Sequence, residues 1–370
     1  LLQPRVYNGH KALRIFVRYE SSFVPKRVLI VAKLSRYHFE KLREPELDEA
    51  KLKSKLLERG SDYDAMLASH LATKAVETEV INVLRKMNGE YRIVDRYDIK
   101  FILLSNFAWA DLILPIGGDG TFLLASNLIF DDKKPIIGIN SYPLRSEGYL
   151  LLSPKYTQNI PKIFELLKEG RYNYLMRRRI RITLKGDGIW EPPFHMHEKG
   201  RVFMAESLSA RTSSLLIKVN DENNFHKVKS SGLCVSTGTG STSWYKAINS
   251  VSPQTVQEIL NLFDKNQQYT NDEIEKICST FNKRQLLILH PFSEEPKLCF
   301  AIRDMIIGNG WPTSKCLQTR GFCNKLTVRS QCFDAGLVLD GGIAVPFNFG
   351  TTAVLETYPE DSLRTITLPD

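Results

Sequence analysis

The chain has 370 residues, of which 43% are hydrophobic and 25% are charged, and its net charge is +9. This length allows two domains with their own cores, and the composition excludes a largely disordered chain. No run of about 18 apolar residues occurs, and the basic residues are scattered, so we expect neither a membrane-spanning helix nor a nucleic-acid partner.

Two basic stretches stand out along the chain. Residues 1–27 carry six Lys and Arg against the single acid Glu20. This balance fits either the tail of an Arg-rich organelle-targeting segment or an ordinary basic N-terminal strand, and both interpretations stay open. The dense spot at Arg177, Arg178 and Arg179, followed by Arg181, is typical of a solvated strand end.

The first half of the chain alternates apolar strands with helical patterns. The predicted strands are Val28–Ala32, Tyr91–Val94, Leu112–Ile116 and Pro135–Asn140. The predicted helices are a charged stretch over 35–60 and then Asp62–Met87, Thr121–Ile129 and 154–168. This alternation predicts an α/β domain with an open, mostly parallel sheet, and we assign it residues 28–176.

After about residue 178 the pattern changes to short strands with alternating polarity. These strands are Ile180–Leu184, Ser214–Val219, Leu298–Ile302, Lys325–Val328 and Gly336–Leu339. Two helices interrupt them, near 253–264 and 271–280. We therefore expect a β-rich C-terminal domain over residues 177–349.

The cysteines argue against a metal centre. They are Cys234, Cys278, Cys299, Cys316, Cys323 and Cys332. None forms a Cys-x-x-Cys pair, so the sequence predicts reduced thiols and no set of metal ligands. Five of them follow residue 270, and a pairing among those stays open.

A glycine-rich turn follows the predicted strand Leu112–Ile116. Gly117, Gly118 and Gly120 allow phosphate to approach main-chain N–H groups, and the helix that begins at Thr121 favours a negative charge at its start. Asp119 would repel phosphate, so its carboxylate fits a hydroxyl group or a divalent cation. The alternative is that Asp119 only caps the helix. Neither a P-loop nor a Gly-x-Gly-x-x-Gly pattern is present.

A second polar turn covers Ser236–Trp244. Its hydroxyl groups and glycine amides suit ribose or phosphate oxygens, and Trp244 offers a ring face for a base. The residues that we select as nucleotide-binding are Thr239, Ser241, Thr242, Ser243 and Trp244. A flexible linker is the alternative, but the run follows a strand and ends in an aromatic residue.

Taken in order, these motifs resemble those of the NAD kinase family. The resemblance rests on the Asp119 turn, Gly138–Asn140, Arg145–Leu150, Thr237–Trp244 and Asp340–Gly342. The detail is similar to the mitochondrial animal branch and covers roughly residues 28–370. The Asp119 turn alone is shared with lipid kinases and 6-phosphofructokinases, whereas its combination with Thr237–Trp244 is more specific.

The resemblance implies phosphoryl transfer from ATP, with Mg²⁺, to the 2′-hydroxyl of the adenosine ribose of NAD, which gives NADP. It implies that Asp119 binds and polarises that hydroxyl, while Asn140 and Tyr149 line the nucleotide pocket. It also implies an NAD kinase/diacylglycerol kinase-like fold in which residues of about 350–370 return to the first domain. A homodimer in the mitochondrial matrix is the implied assembly and location.

One position departs from the resemblance. The family carries an Asn-acid pair that contacts NAD, and Gly200 and Arg201 stand at those positions here. The loop between Trp190 and Arg201 is also short for the mitochondrial branch. A catalytically impaired, nucleotide-binding pseudokinase is therefore an alternative. A lipid kinase that shares the Asp119 turn is a second alternative.

Overall fold

The structure is a computed structural model that describes residues 21–96, 103–186, 189–198, 201–263, 269–289, 295–307 and 317–369. Most of the basic segment 1–27, together with Gly200 and Cys316, lies outside these ranges. Within them, no helix has the length and apolar character that a membrane span requires. The five cysteines in these ranges are free thiols.

The first half of the chain is built on a four-stranded sheet. Its strands are β1 (Arg27–Ala32), β2 (Glu90–Val94), β3 (Leu112–Gly117) and β4 (Ile139–Asn140). Their order is β2-β1-β3-β4, and every pairing is parallel. All six residues of β3 are buried, as expected for a parallel strand that is covered on both faces. The predicted parallel α/β sheet is confirmed.

Helices cover both faces of this sheet. They are α1 (Arg36–Arg43), α2 (Glu49–Glu58), α3 (Tyr63–Lys86), α4 (Leu103–Trp109), α5 (Asp119–Ser126), α6 (Pro154–Thr157) and α7 (Ile160–Lys168). Apolar residues of α3 and α7 pack with one face of β1 and β3. Residues of α4 and α5 pack with the other face.

Two predicted elements of this half differ from the structure. Of the predicted strand Pro135–Asn140, only β4 is continuous, while Ile136 forms isolated bridges. The predicted helix 154–168 is two helices, α6 and α7. Asn159 lies between them and is the N-cap of α7. Its side-chain oxygen accepts the N–H of Lys162, at 3.3 Å, at the start of α7.

The second half is a sandwich of antiparallel sheets. Its strands are β6 (Ile180–Gly186), β7 (Trp190–Glu198), β8 (Arg201–Glu206), β9 (Ser213–Val219), β10 (His226–Ser230), β11 (Gly232–Ser236), β12 (Leu298–Arg303), β13 (Arg320–Cys323), β14 (Lys325–Ser330), β15 (Ala335–Leu339), β16 (Ile343–Pro346) and β17 (Thr352–Thr357). The sheet orders are β10-β9-β14-β17-β6-β7 and β13-β12-β11-β8-β15-β16. Both sheets contribute to one core, and the predicted β-rich C-terminal domain is confirmed.

In the described part of the segment between β11 and β12 the chain forms three α-helices. They are α8 (Trp244–Asn249), α9 (Pro253–Phe263) and α10 (Asn271–Leu289). The last two correspond to the predicted helices near 253–264 and 271–280, although α10 continues beyond the predicted end to Leu289.

The prediction of a loop between Trp190 and Arg201 is wrong. Residues as far as Glu198 form β7, which pairs antiparallel with β6. The sequence obscured this strand because it contains Pro192 and Pro193. Proline is tolerated at a sheet edge, where its missing N–H has no partner to lose, and β7 is the last strand of its sheet.

The chain returns to the first half near its end. Strand β18 (Leu363–Thr367) pairs antiparallel with β5 (Asn173–Arg177), and Thr365 forms a parallel bridge with Ile136. Strand β17, by contrast, belongs to the sandwich. Within the segment of about 350–370, β18 and the residues just after it contact the α/β half, since Leu368 packs on its core and Tyr156 donates to the main-chain oxygen of Pro369.

The basic spot near residue 178 is not a solvated strand end, so that prediction is wrong. Arg177 is 6% exposed and Arg179 is 1% exposed. Arg179 donates hydrogen bonds to the main-chain oxygens of Ile129, Asp131 and Asp361. No local pattern indicates this burial, because the acceptors are backbone oxygens distant along the chain.

Candidate active site

The glycine-rich turn lies where β3 passes into α5. Gly118 is the N-cap of α5, and Asp119 is its first residue. A Cβ atom at Gly117 would lie 2.7 Å from the Cβ of Thr121 and 3.0 Å from the Cβ of Lys33. These distances are shorter than van der Waals contact, so only glycine lets the chain turn this tightly at position 117.

Asp119 does not cap the helix, which contradicts the alternative considered for it. The N-cap of α5 is Gly118, and Asp119 is already the first residue of the helix. The carboxylate of Asp119 instead accepts the main-chain N–H groups of Leu150, at 2.9 Å, and Tyr149, at 3.2 Å. Asp119 thereby fixes the segment that follows β4 against the start of α5. Each carboxylate oxygen keeps a further lone pair for a ligand.

The surroundings of Asp119 set its basicity. Burial raises the pKa of Asp119 above its ordinary value, while the two N–H bonds and the positive charge of Arg177 oppose this rise. The nearby charge of Glu147 raises the pKa further. The carboxylate is therefore a better proton acceptor than an ordinary aspartate.

A cavity of about 560 Å³ opens beside Asp119. The start of α5 and the turn Leu339–Gly342 of the sandwich both line it. Other lining residues include the cations Lys33, Arg96 and Arg145, together with Ser146. The two halves of the chain therefore meet at this cavity, and Asp340–Gly342, which is only a turn signal in the sequence, faces the Asp119 turn across it.

The cavity lies at the carboxyl edge of the parallel sheet. Lys33 follows β1 directly, Arg96 follows β2, and the Asp119 turn follows β3. Ligands of open α/β sheets bind at this edge. Cations and helix N–H groups suit phosphate, while the carboxylates of Asp119 and Asp340 suit a hydroxyl group or a hard cation. Among the residues that the structure describes, no group of three or more His, Cys, Asp or Glu is placed to hold a metal ion.

Asn140 and Tyr149 lie next to the Asp119 turn. Asn140 pairs with Gly117 at the end of β4 and is 1% exposed. Its amide donates to the main-chain oxygen of Ser146, at 3.0 Å, and its side-chain oxygen accepts the N–H of Tyr142, at 3.1 Å. Asn140 therefore shapes the loop that carries Ser146 to the cavity, and Tyr149 holds Asp119 through its backbone. Their contact with a nucleotide stays a prediction.

The second polar turn is folded as a 3₁₀ helix, Gly238–Thr242, between β11 and α8. It contains Thr239, Ser241 and Thr242, of which the side chain of Ser241 lies outside the described part. Ser243 and Trp244 follow directly and are exposed. The run is thus an ordered element, which contradicts the flexible-linker alternative.

The ring of Trp244 contacts two other side chains. It stacks on Phe203 with 5.6 Å between ring centroids and an interplanar angle of 29°. The guanidinium of Arg303 lies 5.5 Å from its centroid. The side chain is nevertheless 45% exposed, so it retains surface for a further ring.

Two arginines connect the second polar turn to the cavity region. Arg177 donates from Nη1 to Thr239 Oγ1 at 3.4 Å. Arg201 donates from Nη1 to Ser243 Oγ, and its main-chain oxygen accepts the N–H of Asp340 at 3.0 Å. The residue at the position that departs from the family pattern therefore lies between the second polar turn and the cavity wall.

Sequence reasoning missed Lys33, Arg96 and Arg177 as residues of this region. For Lys33 and Arg96 a usable signal was present, because each comes directly or closely after a predicted parallel strand. Arg177 carries no such signal, because only the tertiary structure buries it between Asp119 and Thr239.

Comparisons with known proteins agree with this geometry. The ATP-NAD kinase N-terminal domain family matches residues 56–172. The chain is 37% identical over 392 residues to "NAD kinase 2, mitochondrial" of Rattus norvegicus, covering 94% of this chain and 89% of that protein. The identity is 36% over 394 residues to the Homo sapiens protein of the same name, with 95% and 86% covered.

Solved structures show the same fold at low identity. Yeast NADH kinase complexed with NADH gives a TM-score of 0.57 at 13% identity, covering 94% of this chain and 84% of that chain. An NAD kinase from Archaeoglobus fulgidus in complex with ATP gives a TM-score of 0.51 at 12% identity, covering 93% of both chains.

Proposed function

Because this chain belongs to the NAD kinase family, we propose that it transfers the terminal phosphoryl group of ATP to the 2′-hydroxyl of the adenosine ribose of NAD. The products are NADP and ADP. The observation that carries this proposal is the cavity that joins a half-buried carboxylate, Asp119, to a phosphate-type turn and three cations.

Asp119 is the base that acts on the ribose hydroxyl. Its carboxylate accepts a hydrogen bond from the ribose hydroxyl and takes up the proton as the oxygen–phosphorus bond forms. Two backbone N–H bonds fix its orientation, and burial makes it more basic. Orientation matters most here, because phosphoryl transfer depends mainly on positioning and on neutralising charge.

The phosphates of ATP bind at the start of α5. Main-chain N–H groups at Gly118 and Gly120 face them, while the N–H of Thr121 donates to the main-chain oxygen of Gly118 at 2.9 Å and Gly117 makes the tight turn beneath. Lys33 and Arg145 line the same cavity and complement the phosphate charge.

Mg²⁺ is the proposed cation. The carboxylates of Asp119 and Asp340 line one cavity, and Mg²⁺ in nucleotide sites is held by one or two carboxylates plus the phosphates. The donor set of this chain therefore fits the ion. When bound, Mg²⁺ would neutralise the charge that develops on the phosphates.

The adenosine part of NAD binds against the second polar turn, at Thr239 and Ser241–Trp244, with Asn140 and Tyr149 nearby. We also propose that the protein is a homodimer and that it lies in the mitochondrial matrix. The names of its animal relatives support the mitochondrial location. Light scattering of the purified chain and imaging of a tagged full-length protein test these two points.

Asp119→Asn is the central test. We expect NADP formation to fall at least about 100-fold, because the amide is not a base. NADP is measured with an NADP-specific dehydrogenase. Activity within threefold of the wild type would remove Asp119 from the mechanism.

Asp131→Asn is the matched control. Asp131 also accepts two main-chain N–H groups, from Lys133 at 3.0 Å and Lys134 at 2.8 Å, but it does not line the cavity. Its replacement removes one acceptor just as at position 119. We expect it to leave NADP formation within threefold of the wild type.

One observation favours the pseudokinase alternative, because Arg201, a cation, lies where the family pattern has an acid. Turnover by the purified wild-type chain would contradict that alternative, whereas NAD binding without turnover would support it. The comparisons do not support either alternative. Sphingosine and diacylglycerol offered beside NAD test the lipid-kinase alternative in the same assay.

A further inference from the structure

A second cavity lies in the sandwich half, and the reaction proposed above does not involve it. Its volume is about 590 Å³, and none of the described residues that line it also lines the Asp119 cavity. It lies at the end of β6, where Lys185 is found. The other end of β6 carries Arg181, whose guanidinium binds Asp361 just before β18. The cavity is therefore at the far end of this strand from the junction between the two halves.

One side of this cavity is a row of side chains that crosses four strands. Arg329 of β14 pairs with Leu216 of β9 on one side and with Thr352 of β17 on the other. Thr352 in turn pairs with Lys185 of β6. Directly paired residues point to the same face of a sheet, and the next residue along each strand, such as Val328, belongs to the core between the sheets. The row therefore lies on the outer face of its sheet, away from that core.

This cavity carries positive charge with no acid to balance it. None of the described residues that line it is Asp or Glu, and in the described part of the chain neither Lys185 nor Arg329 forms an ion pair. Arg329 donates from Nε to Thr352 Oγ1 at 3.4 Å, and its guanidinium lies 5.2 Å from the ring centroid of Phe225. Two strand spacings, or about 10 Å, separate the two cations at their backbones. Their long side chains can therefore meet on one anionic group.

Aromatic side chains line the same cavity. Trp190, at the start of β7, stacks on Phe194 with 5.5 Å between ring centroids and an interplanar angle of 30°. Its Nε1 is buried and, among the described residues, has no hydrogen-bond partner, although a buried indole N–H normally finds an acceptor. Phe349 also lines the cavity and is 66% exposed. The cavity thus combines ring surface, an N–H donor and two cations.

We infer that this cavity is a second ligand site, which binds an anion with an aromatic ring, of the size of a nucleoside monophosphate. Lys185 and Arg329 bind the phosphate, while the base contacts the rings of Trp190 and Phe349. Sites for ligands of this size have volumes of about 300–1,000 Å³. The described lining residues include no carboxylate, thiol or imidazole, so the site binds its ligand without transforming it. A single phosphate fits better than a triphosphate, because only two cations line the cavity.

The test titrates AMP into the purified chain and follows tryptophan fluorescence. Trp190→Phe assigns the signal, because it removes the fluorophore and keeps a ring in the cavity. We expect AMP to change a component of the fluorescence that this variant lacks. In Arg329→Met the Kd of AMP for that component should rise at least about tenfold, the effect of losing one charge-assisted hydrogen bond. No AMP response that depends on Trp190 would overturn the inference.

Lys185→Met and Lys218→Met form a matched pair of variants. Lys218 lies on the same face of the same sheet, two residues along β9 from Leu216, but it does not line the cavity. Each change removes one positive charge from an exposed face, and urea denaturation checks that both variants stay folded. We expect the Kd of AMP to rise at least about fivefold in Lys185→Met and to stay within twofold in Lys218→Met. An equal rise in both would mean a general attraction to a basic face and would overturn the inference.

Adenosine and inorganic phosphate separate the ring from the charge. Adenosine is titrated directly, and phosphate is measured by its competition with AMP for the component assigned to Trp190. We expect each to bind at least about tenfold more weakly than AMP, because each lacks one of the two kinds of contact. Phosphate that binds as tightly as AMP would show that the rings take no part. Adenosine that binds as tightly would show the same for the cations, and either result would overturn the inference.

Discussion

At the scale of single residues, the site depends on how closely two loops approach each other. Gly148 has a φ of +65°, and a Cβ atom there would lie 2.6 Å from Asn140 Nδ2. Asn140 in turn holds Ser146 and Tyr142 by hydrogen bonds. A side chain at position 148 therefore displaces the amide that shapes the loop at the cavity.

Gly148→Ala separates this contact from backbone strain. Alanine at positive φ costs about 1 kcal/mol, and the contact with Asn140 adds to that cost. We expect the free energy of unfolding to fall by about 2–3 kcal/mol and the KM for ATP to rise, both measured on the purified variant.

Gly60→Ala is the control for this change. Gly60 has a φ of +73°, but a Cβ atom at this position would have no heavy atom within 4 Å, so the variant reports strain alone. Its loss of stability should be about 1 kcal/mol, with an unchanged KM. Equal losses in the two variants would show that the Asn140 contact is unimportant.

At the scale of elements, short caps decide where helices begin. Asn159 interrupts what the apolar pattern predicts as one helix and begins α7 through its bond to the N–H of Lys162. Pro161 follows in the first turn, where a missing N–H costs nothing. The break turns α7 so that Ile163 and Phe164 are buried in the core.

Asn159→Ala removes the cap and keeps the helix composition. We expect the free energy of unfolding to fall by about 1 kcal/mol, measured by urea denaturation. Pro161→Ala is the control, because alanine fits the first turn equally well and should change stability by less than about 0.5 kcal/mol. A larger loss for Pro161→Ala would show that the proline, rather than the cap, fixes the break.

The elements also show what the sequence alone could predict. Apolar runs such as Leu112–Ile116 predict buried parallel strands, because a strand that helices cover on both faces needs apolar residues on both. The glycine turn and Asp119 follow from the same reasoning. Strand β7 escaped prediction because its prolines are compatible only with an edge, and edge position is a tertiary property. Arg177 escaped because nothing in its neighbours indicates burial.

At the scale of the whole molecule, the buried arginines Arg177 and Arg179 differ in what they contact. Arg177 is buried with one long hydrogen bond. Arg179 is buried with bonds to Ile129, Asp131 and Asp361, which connects the segment after α5 to the segment before β18. The first residue acts on the electrostatics of the site, and the second holds distant parts of the chain together.

Arg179→Met tests this division. The change removes this donor from three main-chain oxygens, two of them in buried hydrogen bonds, so we expect the free energy of unfolding to fall by about 3 kcal/mol. The pKa of Asp119 should stay near its wild-type value, because Arg177 is the arginine whose charge lowers it. Urea denaturation measures the free energy of unfolding. An NMR titration of ¹³Cγ-labelled aspartate, with Asp119→Asn used for assignment, measures the pKa of Asp119.

Arg177→Met provides the comparison, since the same replacement there should move the pKa of Asp119 and change stability by less than about 1 kcal/mol. The two variants thus predict a crossed pattern, in which each measurement responds to one arginine only. If both variants lower the free energy of unfolding equally and neither changes the pKa of Asp119, both arginines contribute to stability only. If Arg179→Met moves the pKa as well, joining the two halves of the chain is itself what sets the charge of Asp119.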